Sequence, residues 1–242
     1  MVPLRFVLLQ ARSHDDPMLE RERRSFAEHL DVPGERVVPL NLLDGPVGPD
    51  DLGRGDALLI GGSGDYYVSK DHLPHAESVY DLLREVAARG HPTFASCFGF
   101  QLMVRALGGE IVHDPATTEV GTLDLALTVE GRSDPLLGQL PERFAAQLGR
   151  KDRAVFMPDG IPNLAASELN PHQALRLPGR PVWATQFHPE LTGDENRARF
   201  ERYLAGYSAH MSDEEREAAL SRFRPSPEAN SLLRRFVRLV FG

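Results

Sequence analysis

The chain has 242 residues, of which 41% are hydrophobic and 26% are charged, and its formal net charge at pH 7 is −8. This length suffices for one large α/β domain or two small ones, and the acidic charge argues against a protein that binds nucleic acid or an anionic membrane. One cysteine allows no intramolecular disulfide, and the first ten residues contain too short an apolar run for a signal peptide or a membrane span. We therefore expect a cytoplasmic protein.

The beginning of the chain predicts alternating buried strands and helices. Leu4–Leu9 is a continuous apolar run, which is typical of a strand buried on both faces. Asp16 and Pro17 then mark the start of a helix, with a capping side chain followed by a proline in the first turn. A second strand is predicted at Arg36–Leu40, and the Gly-, Pro- and Asp-rich segment Asp44–Gly55 predicts a loop.

A glycine-rich segment, Gly61–Asp65, directly follows a third predicted strand, Ala57–Ile60. Backbone N–H groups in such a turn can approach a ligand closely. The segment lacks the Lys-Ser/Thr pair of a P-loop and the spacing of a dinucleotide fingerprint, so by itself it indicates a plain tight turn. His72 and His75 have a spacing that could suit a metal, but no third ligand is evident, and we expect no metal site there.

The single cysteine, Cys97, lies at a sharp turn between a predicted strand, His91–Phe94, and a predicted helix, Leu102–Leu107. A strand, a turn with small neighbours and a helix form the shape of a nucleophile elbow. The free N–H groups and the macrodipole at a helix N-terminus would stabilise a thiolate. A small buried core side chain is the competing interpretation, and Cys97 alone does not decide between the two.

This alternation predicts a mostly parallel central sheet with helices on both faces, and sites in such sheets lie at the carboxyl ends of the strands. After residue 109 the pattern changes to short strands without a long helix between them, which predicts antiparallel additions to the same sheet. We expect one α/β domain over residues 1–190 and a helical extension over residues 191–242 packed on it. The apolar side of the last helix, which begins near Pro227, would pack on the domain or, alternatively, bind a partner.

The last predicted strand, Pro181–Phe187, runs directly into His188-Pro189-Glu190. Positions two apart in an extended segment project to the same side, so His188 and Glu190 are expected to point the same way. A carboxylate beside an imidazole selects its tautomer and stabilises the imidazolium, which is the orienting role in a nucleophile–base–carboxylate triad. A bare His-x-Glu pair is more often two exposed loop residues. The pair therefore indicates a catalytic site only in combination with Cys97.

Three segments, Gly61–Asp65, Cys97–Gln101 and Gln186–Glu190, together resemble the class I, triad-type glutamine amidotransferases. The cysteine elbow looks most like that of the glutaminase domain of GMP synthase. The resemblance implies a flavodoxin-like α/β fold without a cofactor. It also implies hydrolysis of the glutamine side-chain amide through a γ-glutamyl thioester, giving glutamate and ammonia.

The resemblance also implies roles for individual residues. Cys97 would be the nucleophile, His188 the base and then the acid, and Glu190 the group that orients His188. The backbone N–H groups of Gly62 and Phe98 would form the oxyanion hole. The residues implied to bind the substrate are Gln101, Gly61 and Gly149.

The sequence departs from the family pattern at several points. Ala95 and Ser63 stand where the family usually has glycine and proline. The segment that grips the amino-acid end of glutamine is usually Ser-His-Gly or similar, and the nearest candidate here is Gln147–Arg150. No ATP-binding motif or synthetase half follows Glu190.

These departures leave several functions open. The ammonia would pass to a separate synthase subunit, or the chain would be a free-standing γ-glutamyl hydrolase or peptidase acting on another γ-glutamyl compound. A non-catalytic amidotransferase-like binding domain is a further alternative, against which the presence of all three triad residue types argues. An α/β-hydrolase-type enzyme would place its acid between nucleophile and histidine, whereas here Glu190 follows His188.

Overall fold

A computed structural model of the protein describes residues 3–203 and 212–242. Residues 1–2, which belong to the predicted α/β domain, and residues 204–211, which belong to the predicted helical extension, lie outside the described residues. The described strands are β1 (Phe6–Ala11), β2 (Val37–Asn41), β3 (Ala57–Ser63), β4 (Thr93–Ser96), β5 (Glu110–His113), β6 (Glu119–Leu127), β7 (Arg143–Arg150), β8 (Asp152–Phe156), β9 (Asn163–Ala166), β10 (Ala174–Arg176) and β11 (Val182–Thr185). The described helices are α1 (Met18–Leu30), α2 (Pro49–Leu52), α3 (Ala76–Arg89), α4 (Phe98–Ala106), α5 (Val129–Ser133), α6 (Gly193–Arg202), α7 (Asp213–Ser221), α8 (Pro227–Asn230) and α9 (Leu232–Phe241).

Nine of the described strands form one mixed sheet, in the order β2-β1-β3-β4-β11-β10-β9-β6-β7. The first five are parallel neighbours. The other four are joined by antiparallel ladders. This arrangement confirms the predicted α/β fold with a parallel core and antiparallel additions. Strands β5 and β8 form a separate antiparallel pair.

Apolar side chains of the parallel strands alternate between two cores, one on each face of the sheet. In β3, Leu58 and Ile60 belong to one core, which contains residues of α3 and α4. Leu59 belongs to the other core, together with Phe26 of α1 and Phe236 of α9. Helices therefore cover both faces of the sheet, as the strand–helix alternation predicts.

The end of β3 differs from its predicted boundary. The strand continues past Ile60 to Ser63, because Ser63 is still paired with Ala11 of β1 after an irregularity in the register. The glycine-rich segment is thus partly strand rather than turn. A Cβ atom at Gly61 would lie only 2.6 Å from the carboxyl carbon of Glu22, so a larger residue there would displace that carboxylate.

The short helices α2 and α5 were not predicted. Helix α2 lies within the predicted loop Asp44–Gly55 and begins with Pro49, while the Asp51 carboxylate accepts a hydrogen bond from the Gly48 N–H. Helix α5 follows the end of β6, and the Thr128 hydroxyl caps it by accepting a hydrogen bond from the Gly131 N–H. In both cases a local capping contact forms a helical turn too short to produce an apolar period.

The last helix, α9, packs against the sheet. Its Phe236 side chain is fully buried and meets the rings of Phe94 and Trp183 edge-on, with centroid distances of 5.7 Å and 5.9 Å. None of the described helices is both long enough and apolar enough to cross a membrane.

Candidate active site

Cys97 lies in a strained turn between β4 and α4. Its φ and ψ are 50° and −98°, which is a costly conformation for a residue with a side chain. Two hydrogen bonds hold this backbone: the Cys97 N–H donates to Thr185 O at 2.7 Å, and the Gln101 N–H donates to Cys97 O at 3.1 Å. Gly99 allows the elbow to approach β3, because a Cβ there would lie 2.7 Å from the Cβ of Ile60.

His188 and Glu190 follow β11 and form a buried pair beside this turn. The His188 Nδ1 lies 2.6 Å from the Glu190 Oε1, and both side chains are 1% exposed. The Ser96 hydroxyl donates to the same Glu190 oxygen at 3.0 Å. This geometry confirms that the two side chains point the same way. Because the carboxylate accepts the Nδ1 proton, the Nε2 atom is the one left for acid–base chemistry.

The charges of this group shift one another's pKa values. Burial opposes the thiolate of Cys97, yet the imidazole of His188 and the charge of Arg199 hold the pKa of Cys97 below its ordinary value. Burial and Arg199 also oppose the imidazolium, but Cys97 and Glu190 outweigh them and raise the pKa of His188. The pKa of Glu190 lies below its ordinary value despite burial, because His188 and Arg199 stabilise the carboxylate. These directions favour transfer of the Cys97 proton to the imidazole of His188.

A cavity beside Cys97 gathers three of the other predicted residues. Phe98, Gln101 and Gly149 all line it. The Gln101 amide donates to Asp152 O at 3.2 Å and to Gln186 Oε1 at 3.1 Å. Its side chain is therefore held by β8 and by the residue that follows β11. The structure thus brings Gly149 of β7, which is distant in sequence, next to Cys97 and the first turn of α4.

Gly61 and Gly62 lie at the end of β3, next to Glu22 of α1. Neither residue lines the cavity beside Cys97. Gly61 faces Glu22 of α1, and the Gly62 N–H donates to the Glu22 Oε1 at 2.9 Å. The substrate-binding role of Gly61 and the oxyanion donor at Gly62 stay predictions, and in this structure the Gly62 N–H already has a carboxylate partner. The cause is the buried ion pair between Glu22 and Arg12 (2.9 Å), which holds the carboxylate against the end of β3.

Helix α6 supplies a residue that the sequence did not reveal. Arg199 is buried, its Nη1 lies 2.5 Å from the His188 Nε2, and its Nη2 donates to Ser63 O at 3.3 Å. One turn later, Tyr203 lines the cavity and accepts a hydrogen bond from Arg12 at 2.5 Å. The spacing of four residues between Arg199 and Tyr203 puts them on one helix face and is the only sequence signal for this pair.

Two contacts fix the position of α6 over the site. The Ser25 hydroxyl of α1 donates to the Glu195 carboxylate at 2.7 Å. The Asn196 amide donates to Leu148 O of β7 at 3.0 Å. Since Glu195 and Asn196 lie one turn before Arg199, these contacts hold the buried face of the helix against His188 and Glu190.

His72, whose spacing from His75 could suit a metal, stands edge-on to the rings of Tyr66 and Tyr67. Within residues 3–203 and 212–242, no group of three or more His, Cys, Asp or Glu side chains is placed to hold a metal ion.

Comparison with known proteins identifies the sequence family. The profile of the family "Glutamine amidotransferase class-I" matches residues 50–203, a range that contains Cys97, His188 and Glu190. One subunit of the glutamine-hydrolysing GMP synthase of Natronomonas pharaonis is 28% identical over 173 residues, which are 70% of this chain and 86% of that protein. The glutamine-hydrolysing GMP synthase of Aspergillus fumigatus is 29% identical over 151 residues, 61% of this chain but only 26% of that protein.

Solved structures share the fold. A glutamine amidotransferase from Thermotoga maritima matches with a TM-score of 0.73 at 17% identity, over 99% of this chain and 100% of that chain. A glutamine amidotransferase from Methylobacillus flagellatus matches with a TM-score of 0.67 at 19% identity, over 98% and 92% of the two chains. At these identities the likeness concerns the α/β architecture alone.

Proposed function

Because the chain belongs to the class I glutamine amidotransferase family, we propose that it hydrolyses the side-chain amide of glutamine through a γ-glutamyl thioester on Cys97. One observation carries this proposal. A cysteine in a strained elbow, at the N-terminus of α4, shares a buried site with a histidine whose Nδ1 is 2.6 Å from the carboxylate of Glu190. These are the parts needed for nucleophilic cleavage of an amide.

The first half of the reaction uses Cys97 and His188. The Nε2 of His188 takes the thiol proton, and the sulfur forms a bond to the amide carbon while the carbonyl electron pair moves to oxygen. When the electron pair on oxygen re-forms the carbonyl, the carbon–nitrogen bond breaks. The nitrogen receives the proton from His188 and leaves as ammonia. The product on the enzyme is the γ-glutamyl thioester.

The second half uses the same base. The Nε2 of His188 removes a proton from water, which attacks the thioester carbon, and the sulfur leaves as the thiolate. Glu190 stays ionised and holds the imidazole in the correct tautomer in both halves. Its burial strengthens this effect, because an ion pair in a region of low dielectric is poorly screened.

We further propose that the ammonia is used by a separate synthetase subunit. The support for this is the similarity to the GMP synthase subunit from Natronomonas pharaonis, most of whose length the chain covers. Cleavage of other γ-glutamyl compounds is the second candidate. The cavity beside Cys97 is lined by Gly149 and Arg150, and both belong to Gln147–Arg150, the nearest candidate for the family's Ser-His-Gly segment.

A substitution of the nucleophile tests the proposed function. We expect purified protein to release glutamate and ammonia in equal amounts from glutamine, and Cys97→Ala to abolish this release while its thermal unfolding stays cooperative. The matched control is Arg197→Ala, which changes an exposed residue of α6 and should keep full activity. Full activity of Cys97→Ala would contradict the nucleophile assignment.

The same assay separates the two candidate functions. A glutaminase rate that rises on addition of cell extract, in wild type and not in Cys97→Ala, would support a synthetase partner. Turnover of γ-glutamyl amines or peptides by the purified chain at a higher kcat/KM than that of glutamine would support the hydrolase instead.

A further inference from the structure

Arg199 differs from the other deeply buried arginines of the described chain. Arg12 lies 2.9 Å from the Glu22 carboxylate, and Arg150 lies 2.5 Å from the Glu119 carboxylate. Such pairing is expected, because a buried guanidinium without an anion is costly. Among the side chains that the structure describes, no carboxylate lies within ion-pair distance of Arg199, and its Nε atom has no hydrogen-bond partner.

This cation lies where the proposed reaction would take place. Its Nη1 is 2.5 Å from the His188 Nε2, and its Nη2 is 3.0 Å from the position that a Cβ atom of Gly62 would occupy. It also lines the cavity beside Cys97. A buried cation without an anion, next to the catalytic base, points to an anion that forms only during the reaction.

The contact with His188 has one chemical meaning. A guanidinium has only N–H donors, so this contact is a hydrogen bond only with neutral His188, whose Nε2 accepts with its lone pair. That lone pair is also the one that must take the proton of Cys97, so the contact has to open before the thiol can attack. The Nη2 atom, bonded to Ser63 O, would keep the guanidinium on the Gly62 side of the site when Nη1 leaves the ring.

The Gly62 side is where the family resemblance places the oxyanion. There the Gly62 N–H already donates a hydrogen bond to the Glu22 carboxylate. That carboxylate also forms an ion pair with Arg12 and accepts a hydrogen bond from the Gln10 amide. The Phe98 N–H at the start of α4 remains as one donor. A second donor is needed for a normal oxyanion hole, and the Arg199 guanidinium lies next to the Gly62 position.

We propose that Arg199 is a catalytic residue that donates to the oxyanion of the tetrahedral intermediate in place of the Gly62 N–H. The inference rests on the proposed amide hydrolysis. As the sulfur bonds to the amide carbon, the carbonyl electron pair moves to oxygen. The guanidinium of Arg199 then donates a hydrogen bond to that oxygen. When the carbon–nitrogen bond breaks, the pair returns to the carbonyl and Arg199 is released.

Substitution of Arg199 tests this role. Loss of one oxyanion donor typically lowers kcat by about 100- to 1000-fold. We expect Arg199→Gln to lower kcat for glutamine by about 100-fold with a KM within about three-fold of wild type. Arg199→Lys keeps the charge and should retain an intermediate kcat, which also guards against a Gln variant that does not fold. Arg197→Ala, on the exposed side of α6, is the control.

A tetrahedral adduct gives an independent readout. The γ-semialdehyde of glutamate should add to Cys97 and form a hemithioacetal, whose oxygen sits where the oxyanion forms. We expect Arg199→Gln to weaken this inhibitor by about 100-fold and to leave the inhibition constant of L-glutamate unchanged. Because the charge of Arg199 also lowers the pKa of Cys97, alkylation by iodoacetamide is compared at a pH above the apparent thiol pKa of both proteins, where its rate should be the same.

The outcomes separate the two proposals. A wild-type protein that neither hydrolyses glutamine nor binds the aldehyde would overturn the proposed function itself. If wild type hydrolyses glutamine and binds the aldehyde, and Arg199→Gln hydrolyses glutamine as fast or faster, only the role of Arg199 is overturned. The contact of Arg199 with His188 would then inhibit the base.

Discussion

At the residue scale, the reactivity proposed for Cys97 depends on both its backbone and its neighbours. The positive φ of the elbow points the thiol out of the sheet at the start of α4, where free N–H groups favour an anion. The imidazole of His188 then supplies the stabilising charge within the same buried site. Removing that imidazole should leave burial as the dominant influence on the pKa of the thiol.

This predicts a pH dependence that can be measured on the thiol alone. The rate of alkylation of Cys97 by iodoacetamide should rise with pH through an apparent pKa below the ordinary thiol value of about 8.5, because only the thiolate reacts. In His188→Gln the apparent pKa should move upward, since burial raises the pKa and its main opposing partner is gone. Identical pH profiles for the two proteins would contradict the pairing of Cys97 with His188.

At the element scale, two helices far apart in sequence complete the site from one side. Glu22 of α1 and Arg199 of α6 both approach the Gly62 end of β3, and the Ser25–Glu195 hydrogen bond joins the two helices. Their sequences read as charged surface helices with an apolar stripe. Burial of Glu22 and Arg199 arises from tertiary packing, so a local pattern contains no sign of it.

Helix α9 connects the C-terminal part of the chain to the central sheet, and we propose that both unfold as one unit. Phe236→Ala should lower the free energy of unfolding by about 3–5 kcal/mol, because it leaves a cavity against Phe94 and Trp183. Leu239→Ala on the same helix, where the side chain is 42% exposed, should change it by less than about 0.5 kcal/mol. Urea unfolding followed by fluorescence and circular dichroism measures both.

The alternative for α9 gives a different result. If the helix were a separate partner-binding unit, Phe236→Ala would leave the main transition unchanged, or the two spectroscopic probes would report two separate transitions.

At the scale of the whole molecule, strand order brings the site together. Strands β4 and β11 are parallel neighbours with Ser96 opposite Thr185, so Cys97 and the segment before His188 leave the sheet side by side. The two strands are about ninety residues apart, and this adjacency forms only through the fold. It explains how the elbow at Cys97 and the His188–Glu190 pair come to lie in one buried site.

Much of this arrangement was predictable from local patterns. Alternating apolar runs indicated the parallel core, and the elbow at Cys97 and the His188–Glu190 spacing each had a recognisable geometry. The environment of Gly62 was not predictable, because it depends on a carboxylate that arrives from α1. The order of the antiparallel strands was not predictable either, since pairing between distant strands leaves no local period in the sequence.

The central claim is that Cys97 carries the γ-glutamyl group during hydrolysis of glutamine. The most direct test is to mix the protein with isotopically labelled glutamine, to quench with acid within the first turnovers, and to identify the labelled peptide by mass spectrometry. The account predicts a γ-glutamyl group on Cys97 in wild type and none in Cys97→Ser treated in the same way. Hydrolysis of glutamine by wild type with no label on Cys97, or with the label on another residue, would contradict it.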